Sequence, residues 1–334
     1  MFDIIKKLTQ TFGPSGNEKK VATAIIEMIK DKVDDIRIDP MGNLICVKKG
    51  KGGSQRLQGH AKKIMLAAHM DEIGVIVSYI DDKGFLRFSN VGGLPPLVIL
   101  GQRVVFENGT VGVIWYEEDI DDMKNVKLEK MYIDIAASSR QEAEKLVNFG
   151  DMAVFVADTI EQNGRLISKA LDDRIGCAIL VQLALNAPET DNEIYYVFTT
   201  QEEVGLRGAR TAAFGIVPDM ALAIDVCDTG DTPGSKPMAV RIGDGPTVKI
   251  KDRSVIAHPE VKDKLIDAAK KNNIPYQLEI MIHGGTDAGS IHITAGGIPS
   301  GGVSIPTRYV HDTSEIVDMN DVENAVKLLE AFVR

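Results

Sequence analysis

RIGCAILVQLALNAPETDNEIYYVFTTQEEVGLRGARTAAFGIVPDMALAIDV, residues 174–226, decides the fold. Its spacing predicts a helix over 174–186, the apolar run EIYYVFTT, a helical turn near 207–214 and a second apolar run, MALAIDV. Short apolar runs without polar alternation read as strands buried on both faces. Helices alternating with such strands, continued by a helix at 259–272, predict an α/β domain whose mixed sheet is flanked by helices.

The pattern extends toward both ends. Residues 17–33 place Val21, Ala24, Ile25, Met28 and Ile29 at helical spacing behind GPSGN, and IRIDPMGNLICVKK reads as two strands joined at Met41-Gly42-Asn43. IMLAAH, ending at His69, is another buried strand. A last helix from Asn320 or Asp321 to Phe332 sets Val322, Ala325, Val326, Leu329 and Phe332 on one face. Between 74 and 165 helical periodicity fades into short glycine-punctuated β-runs, and Asn108-Gly109 signals a hairpin. Segments 1–73 and 166–334 are therefore expected to form one domain, with 74–165 inserted as a small β-rich domain.

Composition excludes several classes of partner. A 44% hydrophobic and 26% charged chain with no long apolar stretch is not expected to enter a membrane. Against 38 basic residues stand 48 acidic ones, a net charge of -10 that repels nucleic acid. The most basic run, KKGKGGSQRLQGHAKK at 48–63, reads as a loop. Cys46, Cys177 and Cys227 are far apart and odd in number, and the N-terminus lacks a leader pattern, so a cytoplasmic location is expected.

Five segments put His or carboxylates just past an apolar run, where an open α/β sheet has its crevice. They are AAHMDE with His69 and Asp71, ALDDR with Asp172 and Asp173, TTQEEVG with Glu202 and Glu203, AIDVCD with Asp225 and Asp228, and RYVHDTSE with His311. Two imidazoles and several carboxylates, one of them shared, are what a dinuclear hydrolytic site needs, because neighbouring cations require negative charge between them. Asp71 could accept the second ring N–H of His69. Of the adjacent pair Glu202-Glu203, one can bind metal while the other acts as general base. Each piece also has a plainer reading: a lone His is usually structural, and Asp172-Asp173 could cap the helix that follows. His60 and His258 read as surface residues, while His283 and His292 flank GGTDAGS, which leaves a place near the pocket open.

AHMDEIG (68–74), KALDDRIG (169–176), TTQEEVGLRGA (199–209), AIDV (223–226), HGGTDAG (283–289) and IPTRYVHDTSE (305–315), with LTQTFGPSGNE near the N-terminus, resemble in order the motifs of the glutamyl/leucyl aminopeptidase family. That family includes the tetrahedral aminopeptidases among the dinuclear-zinc exopeptidases. The resemblance implies a metallo-aminopeptidase acting on peptides, with two divalent ions per subunit, zinc first and cobalt or manganese as substitutes. It implies that Asp172 bridges the ions, that His69 and Asp225 complete one site and Glu203 and His311 the other, and that Glu202 is the base. It also implies a cis peptide between Asp172 and Asp173. The inserted domain becomes a small β-barrel or PDZ-like dimerisation domain, in a homo-oligomer between a dimer and a tetrahedral dodecamer.

Two rival functions differ in class. Some relatives carry an endoglucanase label, and a carboxylate pair could cleave β-glucans, although one Trp and 5% aromatics make a poor sugar cleft. Alternatively the metals only stabilise an assembly protein, which a carboxylate-rich set with a spare Glu argues against. Arg308 and Lys251 are candidate partners for an acidic substrate side chain, each with an ion-pair or surface reading beside it.

Overall fold

The computed structural model describes residues 1–51, 61–120 and 122–334. His60 and most of the basic run at 48–63 lie outside the described residues. Apolar runs that lack polar alternation must be covered on both faces, and Lys63–His69, Glu193–Thr199 and Met220–Cys227 are the inner strands of an eleven-stranded mixed sheet. These three run parallel, and Ser300–Arg308 continues the parallel set beside Met220–Cys227. The hairpin Asp35–Ile38 and Leu44–Lys48 closes one side, turning at Gly42 with φ +96°. On the other side follow Glu315–Asp318, Arg165–Ser168 and Ile160–Gln162, while Thr247–Lys251 and Gln277–Ile280 branch from Ser300–Arg308.

Side chains alternate even within these buried strands. Ile64, Leu66, Ala68, Ile194, Tyr196 and Phe198 face a core shared with the helices Phe2–Gln10, Lys19–Ile29, Leu171–Asn186, Pro259–Lys271 and Met319–Val333. Met65, Ala67, Tyr195 and Val197 face Arg207–Ile216 and Ala288–Ile291. Each fully buried Leu, Ile or Phe contributes roughly 1.5–3 kcal/mol. The helix expected over 17–33 is confined to 19–29, and the last helix starts at Met319, where Asp318 accepts the Asn320 N–H at 3.0 Å.

The glycine-punctuated segment forms a closed six-stranded antiparallel barrel from Gly74–Ile80, Leu86–Val91, Arg103–Phe106, Val111–Tyr116, Met131–Asp134 and Met152–Phe155. Its core is its own, centred on Val75, Leu86, Val104, Ile114 and Ile133. Asn108-Gly109 makes the turn between two of these strands, with Asn108 Oδ1 accepting the Thr110 N–H at 3.0 Å and Gly109 at φ +90°. The hairpin at 160–168, which straddles residue 165, pairs through Arg165–Ser168 with the large sheet. Among the described residues no helix is long and apolar enough to cross a membrane.

Candidate metal centre

Parallel strands deliver their carboxyl ends to one edge, where side chains from distant parts of the chain meet. Strand 63–69 ends at His69, strand 193–199 leads into Glu202 and Glu203, strand 220–227 carries Asp225, and strand 300–308 runs on to His311. From the opposite direction the helix Leu171–Asn186 brings Asp172 and Asp173 in its first turn, which departs from helical dihedrals at both residues; the peptide bond between them is cis. His69, Asp172, Glu202, Glu203, Asp225 and His311 line one cavity of about 800 Å³.

His69 Nε2 lies 3.0 Å from Asp172 Oδ1 and 3.9 Å from Glu202 Oε2. His311 Nε2 lies 3.2 Å from Glu203 Oε2 and 3.5 Å from Asp172 Oδ2. The two oxygens of Asp172 therefore reach toward different histidines. Two groups have donor atoms within 4.8 Å of one another: Asp172 with Glu203 and His311, and Asp173 with His69 and Asp225. Both Asp173 oxygens already accept main-chain N–H groups, from His69 at 3.1 Å and from Gly176 at 3.0 Å. Capping the helix, the plainer reading of the acidic pair, thus applies to Asp173.

Asp71 is fully buried and holds three segments together. Its Oδ1 accepts the Glu202 N–H at 3.0 Å, and its Oδ2 accepts the Glu203 N–H at 3.2 Å and the Ser15 hydroxyl at 2.6 Å. Toward His69 it offers two acceptors, its carbonyl oxygen 3.1 Å and its Oδ1 3.5 Å from Nδ1. Two residues unassigned in the sequence do comparable work. Glu315 accepts the N–H groups of Asp172 and His311 at 3.0 and 3.1 Å. Arg174, wholly buried, donates to the carbonyls of Met70, Thr11 and Gly13 and to Glu72, whose other oxygen is bonded to Lys169. The DDR and TSE triplets were visible in the motifs, but anchoring of main chain has no sequence signature of its own.

Electrostatically the site carries more negative charge than its own cations answer. Burial raises the carboxyls of Glu202, Asp225 and Glu203, and neighbouring carboxylates raise them further. Burial opposes protonation of His311, yet Glu203 and Asp172 lift its imidazole to about 10. Glu203 Oε1 is buried with no hydrogen-bond partner. A buried carboxylate oxygen without a partner, amid acids and imidazoles, fits the nitrogen and oxygen donor chemistry of divalent cations. His283 lines the same cavity and His258 lies on another face, against a separate cavity shared with His292. Arg308 is committed to Asp231, by Nε at 3.1 Å and Nη2 at 2.8 Å, and Lys251 Nζ donates to the Asp252 carbonyl at 3.1 Å.

Comparison with known proteins identifies the family. Residues 42–328 match the family model described as M42 glutamyl aminopeptidase. A protein of Acetivibrio thermocellus whose name assigns it to the aminopeptidases is 62% identical, over 98% of this chain and 97% of its own. The solved aminopeptidase APDkam598 from Desulfurococcus kamchatkensis superposes with a TM-score of 0.93 at 42% identity, covering 99% of this chain and 94% of that one. The TET1 peptidase of Pyrococcus horikoshii, described as assembling into a tetrahedron or a large octahedral shell, gives 0.86 at 34% identity over 99% and 98%. A Thermotoga maritima structure called an endoglucanase gives 0.83 at 34% identity over 99% and 96%. With a matching family model over most of its length and relatives along nearly all of it, the chain belongs to the M42 glutamyl aminopeptidase family of peptide hydrolases.

Proposed function

We propose that this chain removes N-terminal residues from peptides at a dinuclear metal centre. His69 and Asp225 would hold one ion and Glu203 and His311 the other, with Asp172 shared, a reading supported by its two oxygens facing different histidines. Zinc suits the donor set first, with cobalt or manganese as substitutes. When bound, the ions polarise the first carbonyl of the peptide and make water acidic enough to serve as a nucleophile near neutral pH.

The remaining steps belong to the protein. Glu202 accepts the proton of the attacking water and returns it to the departing amine, since a neutral amine leaves far more readily than an amide anion. Glu202 lines the same cavity as the proposed donors, with its Oε2 3.9 Å from His69 Nε2, beside where that water would sit. Asp71 contributes by position, orienting the His69 ring and fixing the main chain of Glu202 and Glu203.

Segments 1–73 and 166–334 act as the catalytic unit and 74–165 as the unit of homo-oligomerisation, in anything from a dimer to a tetrahedral dodecamer. A cytoplasmic setting accords with three buried free thiols.

The observation that carries this reading is the meeting of four strand ends and one helix start on a single acidic cavity. Glu202→Gln should retain two ions per subunit by mass spectrometry while turnover falls roughly 10²–10⁴-fold. Nearly full activity in that variant would overturn the role of Glu202. The endoglucanase name of one neighbour raises glycoside hydrolysis, but among the described residues no Phe, Tyr or Trp lines the catalytic cavity, and Trp115 sits on the barrel. Release of sugar from β-glucan that survives a chelator would reinstate it.

A further inference from the structure

The catalytic cavity does not end at the acidic cluster. A second cavity of about 340 Å³ adjoins it and shares Asp228, Met281 and His283 as a common wall. Beyond that wall Met238, Ile280, Ile282 and Tyr309 supply apolar surface beside Thr229, Thr232 and Lys236. Three of these are exposed to an extent unusual for such side chains: Ile280 60%, Ile282 77% and Tyr309 51%. The charged groups of the lining, Asp228 and Lys236, are one of each sign, so a charged ligand of neither sign is favoured. None of the residues placed in the metal centre lines this second cavity. Ile280 ends the strand Gln277–Ile280, which pairs only with Thr247–Lys251 among the described residues, so its other edge is open to an extended chain.

We infer that this second cavity receives the apolar side chains of the peptide that follow the scissile bond, and so selects substrates by their second and third residues. The inference rests on the aminopeptidase reading above. An exopeptidase seats the peptide's free end at its reacting groups, and the departing chain must then pass outward. The shared wall makes the second cavity the continuation of the first, and its exposed lining makes it the outer one. Extended residues advance about 3.3 Å each, so two following residues suffice to cross a wall one side chain thick.

The test compares initial rates of first-residue release from Leu-Leu-Leu-Ser and Leu-Ser-Ser-Ser by the wild-type assembly, Ile282→Ser and Met238→Ser. The wild type should prefer the apolar peptide by roughly tenfold or more in kcat/KM, and each variant should bring that ratio several-fold closer to one. Ile282 is so exposed that its replacement should leave folding intact, which the elution volume of the assembly checks. Equal wild-type rates, or a ratio that neither variant moves, would overturn the inference. So would dissociation of the assembly by Ile282→Ser with an unchanged ratio, because the apolar face would then be a contact between copies. Absence of any peptide hydrolysis by the wild type would instead sink the aminopeptidase reading itself.

Discussion

At the residue scale the site is a problem of surplus negative charge, and different carboxylates meet it in different ways. Asp71 and Asp173 spend their oxygens on main-chain N–H groups, whereas Glu203 keeps one buried oxygen without a partner. That difference separates scaffold from donor. Farther out, Asp231 is tied up by the Arg308 fork. Burial pushes the Asp231 carboxyl up, but hydrogen bonds from Arg308, Thr229 and the Ile242 N–H prevail and bring it down to about 2. Because its folded value is depressed below an ordinary 3.8, its stabilisation is complete above that unfolded value and is lost as pH falls through about 2. After discounting for solvent, Asp231→Asn should cost about 1 kcal/mol at neutral pH. Urea denaturation should show that gap closing between pH 4 and 2; a gap independent of pH would contradict the ion pair's contribution.

At the scale of elements, the strand ends are held by turns and not only by the sheet. Asn43, in the turn of the first hairpin, is fully buried; its Oδ1 accepts the Thr200 N–H at 3.0 Å and its Nδ2 donates to the Gly208 carbonyl at 3.0 Å. It therefore pins the exit of strand 193–199, just ahead of Glu202. Asn43→Ala should cost roughly 1–3 kcal/mol by leaving buried groups unpaired. Denaturation would measure this, and a neutral change would mean that the turn is incidental. The strands at 63–69, 193–199 and 220–227 were legible because uninterrupted apolar runs leave few alternatives. The run ahead of His311 was expected, but its extent over 300–308 was not, since Gly301, Gly302 and Pro306 disguise it. Gly301 is needed for packing: a Cβ there would lie 2.8 Å from Val261 Cγ1 on the helix above. The helix at 2–10 was also missed, because only Ile5, Leu8 and Thr9 of it are buried and the pattern is thin. Likewise Glu315 and Arg174 were invisible as scaffold, for a buried side chain bonded to main chain is identified only once the chain is folded.

At the scale of the whole molecule, two separate hydrophobic cores give the barrel and the large sheet independent means of support. Outward-facing Val111, Val113 and Trp115 alternate along one barrel strand and are 49%, 41% and 42% exposed. If the barrel mediates assembly as proposed, Val113→Asp should shift sedimentation toward smaller species while leaving thermal unfolding within a few degrees. An unchanged assembly would remove this strand from the interface. The central claim concerns the metal centre, and anomalous diffraction at the zinc edge from crystals of the zinc-loaded protein tests it most directly. The account predicts two peaks per subunit, one beside His69 and Asp225 and one beside Glu203 and His311, with Asp172 between them. A single peak, or zinc only at sites remote from these side chains, would contradict it.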